Sequence, residues 1–395
     1  MTDQDRWLLP EGIEELLPPL SGRVEALRRR LLDLYRGWGY ELVAPPLIEF
    51  VESLLPGMGR DLDLQTVKLT DQLTGRLMGV RADLTPQVAR IDAHRLRREV
   101  PVRLCYLDRV LRTRPEAFGG SRSPLQVGAE LYGHAGVESD VEILCLMLET
   151  LELTGVPDVH VDLGHVGVYR GLVAAAGLDE AQEAALFDAV QRKALPEIDA
   201  LLTGFGVRGA AREALAGLAE WNGGGDCLDA AQAALDGLRH GVPEALAELR
   251  AIAAALSARR PGVPLYFDLA ELRGYYHYQT GVVFAAFTPG SGREVARGGR
   301  YDGIGRVFGR ARAATGFSAD LEPLVEWSAA AADEPARGIF APWSDDAALQ
   351  TRVRELRAAG ERVIWELPGQ TGDAAAMGCD RRLVARGGRW LVEPV

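Results

Sequence analysis

Asp83 and Thr85, Arg112, Gln126 and Glu130, and Arg273 with Tyr276 and Tyr278 are polar side chains on or beside stretches that otherwise read as β-sheet. Recognition of a free amino acid needs an anion or acceptor for the ammonium group and a cation or donor for the carboxylate. A site for an imidazole adds donors and acceptors for two ring nitrogens. This set holds all of those groups. Taken singly, each residue reads equally well as a surface ion pair or a satisfied strand residue; their joint order and spacing is what points to a binding site. Other catalytic signatures are missing: there is no Gly-x-x-x-x-Gly-Lys-Ser/Thr, no Gly-x-Gly-x-x-Gly after a strand and no Gly-x-Ser-x-Gly. His160 and His165 fall on a strand-to-loop stretch that would splay them, and Cys105, Cys145, Cys227 and Cys379 form no Cys-x-x-Cys pair. Structural histidines and buried free thiols are expected, with no metal site and no cofactor.

The elements that must position these residues follow from hydrophobic period. Val24, Leu27, Leu31, Leu34 and Tyr35 keep a helical rhythm from Leu20 to Trp38. Tyr40 to Glu49 reads as a strand interrupted at Pro45-Pro46, and Val67–Asp71 and Arg76–Arg81 as two strands joined at Thr74-Gly75. Val102–Leu107 and Leu125–Tyr132 alternate like strands across a Gly/Ser/Pro/Arg-rich loop, Arg112 to Pro124. Hairpin-linked strands without crossover helices imply a mainly antiparallel sheet. Ser139-x-x-Glu142 reads as a capping box opening a helix that runs to Gly155. After a strand at Val159–Leu163, an all-helical insert is expected from about 168 to 260, and antiparallel strands return at Pro264–Leu269 and Val282–Phe287. A linker at Ser328–Pro335 separates a core, 1–327, from a small α/β unit, 336–395, with a terminal hairpin around Gly387-Gly388.

The formal charge of −12 would repel a polyanion. The basic runs Arg28-Arg29-Arg30 and Arg95-Leu-Arg97-Arg98 lie in helical segments and read as solvated faces, so no nucleic-acid partner is expected. No apolar run approaches the roughly 20 residues needed to span a bilayer, and Met1 to Trp7 has no signal-peptide character; a cytoplasmic location without a membrane partner is the expectation.

The joint pattern resembles the catalytic core of the histidyl-tRNA synthetases, over most of residues 5–327. Pro45-Pro46-Leu-Ile-Glu49 is similar to their first, dimer-building motif. Arg81-Ala-Asp83-Leu-Thr85 is similar to the family's Arg-Pro-Glu-Gly-Thr, and Arg112 with Gln126-Val-Gly-Ala-Glu130 to its second motif. Leu272-Arg273-Gly274-Tyr-Tyr-His-Tyr278 resembles the histidine-specific segment, and Gly298-Gly-Arg-Tyr-Asp-Gly303 a further signature. The resemblance implies a class II synthetase-like α+β fold. It implies that Asp83 and Glu130 hold the ammonium or imidazole of L-histidine, Arg273 and Arg112 its carboxylate, with Gln126, Thr85, Tyr276 and Tyr278 completing the pocket.

The departures concern the nucleotide. Where the third motif ends in Gly-Leu-Glu-Arg, this chain reads Asp320-Leu-Glu-Pro323, and Arg112-Thr-Arg-Pro-Glu116 lacks the usual Arg-x-Glu-Arg. Adenylate formation charges the α-phosphate, and losing one fixed donor in such sites costs about 2.7–4 kcal/mol. The C-terminal unit is also short for an anticodon-binding domain. Together with Asp268–Gly274, Gly281–Ala286 and Cys379–Leu383, these features are similar to the ATP phosphoribosyltransferase regulatory subunits, now over the whole chain. That resemblance implies a non-catalytic chain, a homodimer within a hetero-oligomer, partnered by the short-form ATP phosphoribosyltransferase catalytic subunit and conferring histidine feedback on it. Two alternatives stay open at this point: a divergent histidyl-tRNA synthetase, and a histidine-binding paralogue serving another partner.

Overall fold

A computed structural model describes residues 7–55, 60–115, 120–235, 237–270, 279–328 and 338–395. Arg273, Tyr276 and Tyr278 lie outside the described residues, as does nearly all of the Ser328–Pro335 linker. The chain divides into two compact units, Met1–Ala329 and Ala330–Val395.

In the first unit the strands are β1 (Glu41–Leu42), β2 (Ile48–Phe50), β3 (Val67–Thr70), β4 (Leu77–Val80), β5 (Val102–Arg109) and β6 (Leu125–Tyr132). They continue as β7 (His160–His165), β8 (Asn222–Gly223), β9 (Leu265–Asp268), β10 (Val282–Phe287), β11 (Ala296–Arg300) and β12 (Ala314–Asp320). The main sheet runs β1-β5-β6-β12-β11-β10-β7-β9-β8, and β2-β4-β3 form a separate small sheet. Five consecutive pairings from β5 to β7 are antiparallel, as the hairpin-linked pattern implies. The prolines at 45 and 46, which cannot donate to a ladder, divide the Tyr40–Glu49 stretch between the two sheets. The Pro264–Leu269 stretch departs from expectation: β9 pairs parallel to β7, because the chain returns to the sheet only after the whole helical excursion.

That excursion is not wholly helical. Helices Val166–Ala176, Glu180–Gln191, Leu195–Gly204, Gly209–Gly217, Gly225–Ala234 and Val242–Arg259 are interrupted by β8, which pairs antiparallel with β9. They share one apolar core with the sheet: Leu31 and Tyr35 of the helix Leu20–Gly37, Leu144 and Leu151 of the helix Val137–Thr154, and Leu249 and Leu256 belong to the same buried cluster. Four of the five apolar residues expected on the first helix are buried, Val24, Leu27, Leu31 and Tyr35. Among the described residues no helix is long and apolar enough to cross a membrane.

The predicted capping box at Ser139 does not form. The helix starts at Val137 behind Gly136, and the Ser139 hydroxyl donates back to the Gly136 carbonyl at 2.7 Å. Glu142 is drawn away by a bidentate ion pair with Arg103, at 2.6 and 2.7 Å, and by the Tyr40 hydroxyl. This helix start is instead anchored by Arg300, whose buried guanidinium donates to Asp140 at 2.7 Å and to Ser139 Oγ at 2.8 Å. Arg300 and Asp140 thus fasten β11 to the helix that backs the sheet.

The second unit orders its strands β14-β13-β15-β16, where β13 is Ile339–Ala341, β14 Val363–Trp365, β15 Arg381–Arg386 and β16 Arg389–Pro394. One helix, Ala347–Ala358, is capped by Asp346, which accepts from the Ala348 N–H at 2.8 Å. Ile339, Leu349, Val353 and Leu383 are among the residues of its separate core.

Arg300→Leu leaves Asp140, which is fully buried, without its main counter-charge. Removing one partner of such a pair costs roughly 3–5 kcal/mol. Urea denaturation followed by circular dichroism should register that loss; a change below about 1 kcal/mol would mean that the pair does not hold the helix to the sheet.

Candidate functional site

In an antiparallel ladder, residues directly opposite one another share a face, and so does every second residue along a strand. On β6 the residues Gln126, Gly128 and Glu130 therefore point the same way. Their β12 partners are Asp320, Ser318 and Gly316, and their β5 partners Asp108, Tyr106 and Leu104. One sheet face thus carries the candidate chemistry, with Glu130 at one end and Gln126 at the other.

Glu130 is completely buried. Its carboxyl accepts from Thr85 Oγ1 and from the Tyr106 hydroxyl, each at 3.1 Å, and from the Tyr301 hydroxyl. Two glycines make room. A Cβ on Gly316 would sit 1.6 Å from Glu130 Oε2, and one on Gly128 would fall 2.4 Å from the Tyr106 oxygen. Asp83 stands in the same cavity and accepts from the Thr85 N–H at 2.9 Å. Burial pushes the Glu130 carboxyl up to about 8; the hydroxyl from Tyr301 opposes that shift, and the nearby Asp83 charge adds to it. An empty pocket near neutral pH therefore holds a protonated Glu130, and a bound cation would expel that proton.

The described candidates divide between two adjoining cavities. Asp83, Thr85 and Glu130 line the first, together with Gln279, Tyr301 and Phe284. Arg112 and Gln126 line the second, with Asp320 and Pro323. Glu294, Arg297 and Ser318 contribute to both. Gln126 ties the loop before Thr85 to the sheet, accepting from the Leu84 N–H at 2.9 Å. Arg112 is 3% exposed and donates to both oxygens of Asp320, at 3.2 and 3.4 Å. A buried cation beside the altered third motif is thus paired with the carboxylate that replaces a glycine there, and Arg109 pairs with Glu322 of the same motif.

Sequence reasoning passed over Tyr106, Tyr301 and Gln279. Tyr301 lay in a segment noted for its resemblance without a role, and Tyr106 was detectable as the alternating strand residue two positions from Leu104. His165 and His160 serve the scaffold: His165 Nδ1 accepts from the Gly167 N–H at 3.0 Å, and His160 stacks on Phe287. Among the described residues no three of His, Cys, Asp and Glu gather as a metal site.

Comparison with known proteins now separates the alternatives. A histidyl-tRNA synthetase family model matches residues 12–324. A model described as the ATP phosphoribosyltransferase subunit HisZ C-terminal domain matches residues 336–393. The ATP phosphoribosyltransferase regulatory subunit of Thioalkalivibrio sulfidiphilus is 63% identical over 383 residues, covering 97% of each chain. The chain belongs to the ATP phosphoribosyltransferase regulatory subunit family. The regulatory subunit of Alkalilimnicola ehrlichii is 59% identical and covers 99% of this chain and 98% of its own. A solved ATP phosphoribosyltransferase regulatory subunit/histidyl-tRNA synthetase from Bacillus halodurans aligns with TM-score 0.82 at 26% identity, over 94% of this chain and 95% of that one. Histidyl-tRNA synthetase from Nostoc shares the fold at TM-score 0.75 and 20% identity, covering 96% of this chain and 91% of its own. Membership of a regulatory-subunit family accords with an arginine paired internally beside Pro323: in this regulatory subunit the synthetase-like scaffold is non-catalytic.

The raised Glu130 carboxyl gives a stability prediction. Between the ordinary carboxyl value of 4.5 and about 8, the native state holds a proton that the unfolded chain has released. The stability contributed by the neutral form is complete below that window and falls as pH rises through it. Glu130→Gln removes the dependence. Its melting temperature should gain on that of the unsubstituted chain progressively from pH 5 to pH 8 and level off above, a differential of order 4–5 kcal/mol. Parallel pH profiles for the two proteins would contradict a buried neutral carboxyl.

Proposed function

We propose that this regulatory subunit binds free L-histidine in the Glu130 cavity and transmits that occupancy to the short-form catalytic subunit of ATP phosphoribosyltransferase, at the first step of histidine biosynthesis. The observation that carries the reading is a division between neighbouring cavities: the carboxyl pair Glu130 and Asp83 lines the first, while Arg112 in the second is held by Asp320. Glu130 and Asp83 receive the ammonium group or an imidazole N–H, and Thr85 completes the hydrogen bonds. By the family resemblance, Arg273 serves the carboxylate and Tyr276 and Tyr278 complete the pocket. Arg112 and Gln126 support the pocket from the neighbouring cavity.

The pocket loop is mechanically tied to the first-motif segment. The buried Arg81 guanidinium donates to the Pro45 carbonyl at 2.6 Å and to the Arg109 carbonyl at 2.7 Å, and it pairs with Asp108. Gln87 Nε2 donates to the Pro46 carbonyl and to Glu49. Leu47 and Ile48, in the same segment, are exposed apolar residues. They support a symmetric homodimer that pairs through this face and is sensitive to the loop carrying Asp83 and Thr85. Any coupling between histidine and the partner's active site is reciprocal: substrate bound to the partner shifts histidine affinity by the same factor.

Mixed with the short catalytic subunit, the chain should form a hetero-oligomer by size-exclusion chromatography with light scattering. Phosphoribosyl transfer to ATP should be faster in the complex and more sensitive to histidine. Glu130→Ala should weaken histidine binding by about 2–5 kcal/mol while leaving assembly intact. Because ligand binding ionises Glu130, affinity should rise between pH 7 and 8 by roughly fivefold, with proton release visible as buffer-dependent calorimetric enthalpy. Absence of any complex at micromolar concentration would refute the partnership. Undiminished histidine inhibition in both Asp83→Ala and Glu130→Ala would place the sensor elsewhere.

A further inference from the structure

Two of the hydroxyl groups that hold Glu130, those of Thr85 and Tyr301, stand at the inner ends of segments that meet again at the surface. Thr85 opens the helix Thr85–Arg90, which runs directly on into a π-helical turn, Ile91–Leu96. Tyr301 leads through Asp302 and Gly303 into a 3-10 turn, Ile304–Phe308. The two turns pack closely: a Cβ added to Gly305 would stand 3.7 Å from the Cβ of Ala93. Leu96 and Phe308 close against the same apolar cluster as Tyr106 and Tyr301, and Arg312 pins the π-helical turn by donating to Asp92 at 3.1 Å. The outward face of this pair is basic. Residues 91–100 and 303–312 together hold six arginines and two carboxylates, in a chain whose formal charge is −12. Three of the six are paired: Arg98 with Glu41, Arg310 with Glu99 and Arg312 with Asp92. Arg95, Arg97 and Arg306 are exposed, and their side chains have no ion pair or hydrogen bond among the described residues. Val307 follows Arg306 and Val100 lies three residues beyond Arg97; both are exposed. Arg97 has φ 49, a backbone conformation that favours glycine, so its long charged side chain is not there to serve the turn. Ten residues of helix, roughly 15 Å, separate Thr85 from Arg95, which puts this patch out of reach of a ligand lying against Glu130.

We propose that this patch of arginine and valine is the face on which the chain docks a carboxylate-bearing surface of its catalytic partner. The assignment rests on the partnership proposed above. Unpaired arginines beside exposed apolar side chains suit a protein interface, whereas a chain that is acidic as a whole repels a long polyanion such as RNA. An acidic protein surface fits: its carboxylates meet Arg95, Arg97 and Arg306, and its apolar contacts cover Val100 and Val307. A partner seated there presses on the two segments that begin at Thr85 and Tyr301, so partner and pocket act on the same pair of turns.

The test is association of the full-length chain with the short catalytic subunit, followed by biolayer interferometry. Arg95→Glu combined with Arg306→Glu should weaken the complex at least about thirtyfold at low ionic strength, chiefly through slower association. The parent complex should weaken steeply as sodium chloride is raised, and the variant complex much less. Arg208→Glu with Arg239→Glu makes the same change in net charge at exposed arginines of the helical excursion and should cost less than about threefold. The isolated Arg95→Glu/Arg306→Glu chain should keep the parent's melting temperature, since neither side chain enters the core. Should it fold poorly, Arg95→Ala with Arg306→Ala decides the matter, with an expected loss of about tenfold. A parent that binds and a patch variant that binds equally well would overturn the docking face and leave the partnership standing. Equal losses in the patch and control variants would reduce the effect to net charge and overturn it too. A parent that does not associate at all refutes the partnership and this face together. Tight binding of an RNA hairpin by the parent, lost in the patch variant, would make the patch a polyanion site instead.

Discussion

A carboxyl group shut away from water persists in a fold only if its lone pairs are met and its charge is either cancelled or absent. Glu130 satisfies that condition with hydroxyl groups from three separate parts of the chain, and much of the first unit is arranged around the need. Thr85 opens the helix Thr85–Arg90 that follows β4, Tyr106 crosses from β5, and Tyr301 comes from the turn after β11. Gly316 and Gly128 yield the space. The same tyrosines pack with Leu84, Val88, Leu104 and Ile304 in a second apolar cluster, so the polar group is bedded in a small core of its own. Hydroxyls rather than arginines leave the carboxyl poised between neutral and charged, a state that an incoming cation can tip.

Support for that arrangement comes from ion pairs that do no binding. Arg300 with Asp140 fastens β11 to a helix behind the sheet, and Arg312 with Asp92 fixes the segment following the helix Thr85–Arg90. Arg81 draws together the Pro45 carbonyl, the Arg109 carbonyl and Asp108, which locates the loop carrying Asp83. Each is a buried or half-buried guanidinium with several acceptors, a geometry in which arginine gives direction as well as charge.

Much of the fold was legible from hydrophobic period: the first helix, the β3–β4 hairpin and the β5–β6 pair all stand where the pattern puts them. The capping box was not. Ser139 and Glu142 have the right spacing, but Glu142 is claimed by Arg103 from a strand 39 positions away, while a true box forms at Asp179 and Gln182. Spacing reports a possibility; competition from tertiary partners decides it. The parallel β9 was hidden for a related reason, since strand direction depends on where a chain re-enters a sheet. In the site, Glu130, Asp83 and Thr85 were readable as polar residues in strand-like or strand-flanking context. Strand alternation could put Tyr106 on the same face, but the roles of Tyr106 and Tyr301 were not readable, because a buried tyrosine looks in sequence like any other core aromatic and only geometry shows where its hydroxyl points. The Arg112–Asp320 pair was half visible: both residues stood out in the sequence, but their pairing did not.

Glu130 faces Gly316, and Gln126 faces Asp320, on the same two strands. Four residue steps along the strand separate the two pairs, about 13 Å. One ladder therefore carries two separate polar positions, with Ser318 between them shared by both cavities. A substitution at the Asp320 end is separated by the strand from the hydroxyl cage built around Glu130 at the Gly316 end. Pleated backbone spaces the two pairs, so one pair of strands holds a neutral-leaning carboxyl at one end and an internal ion pair at the other.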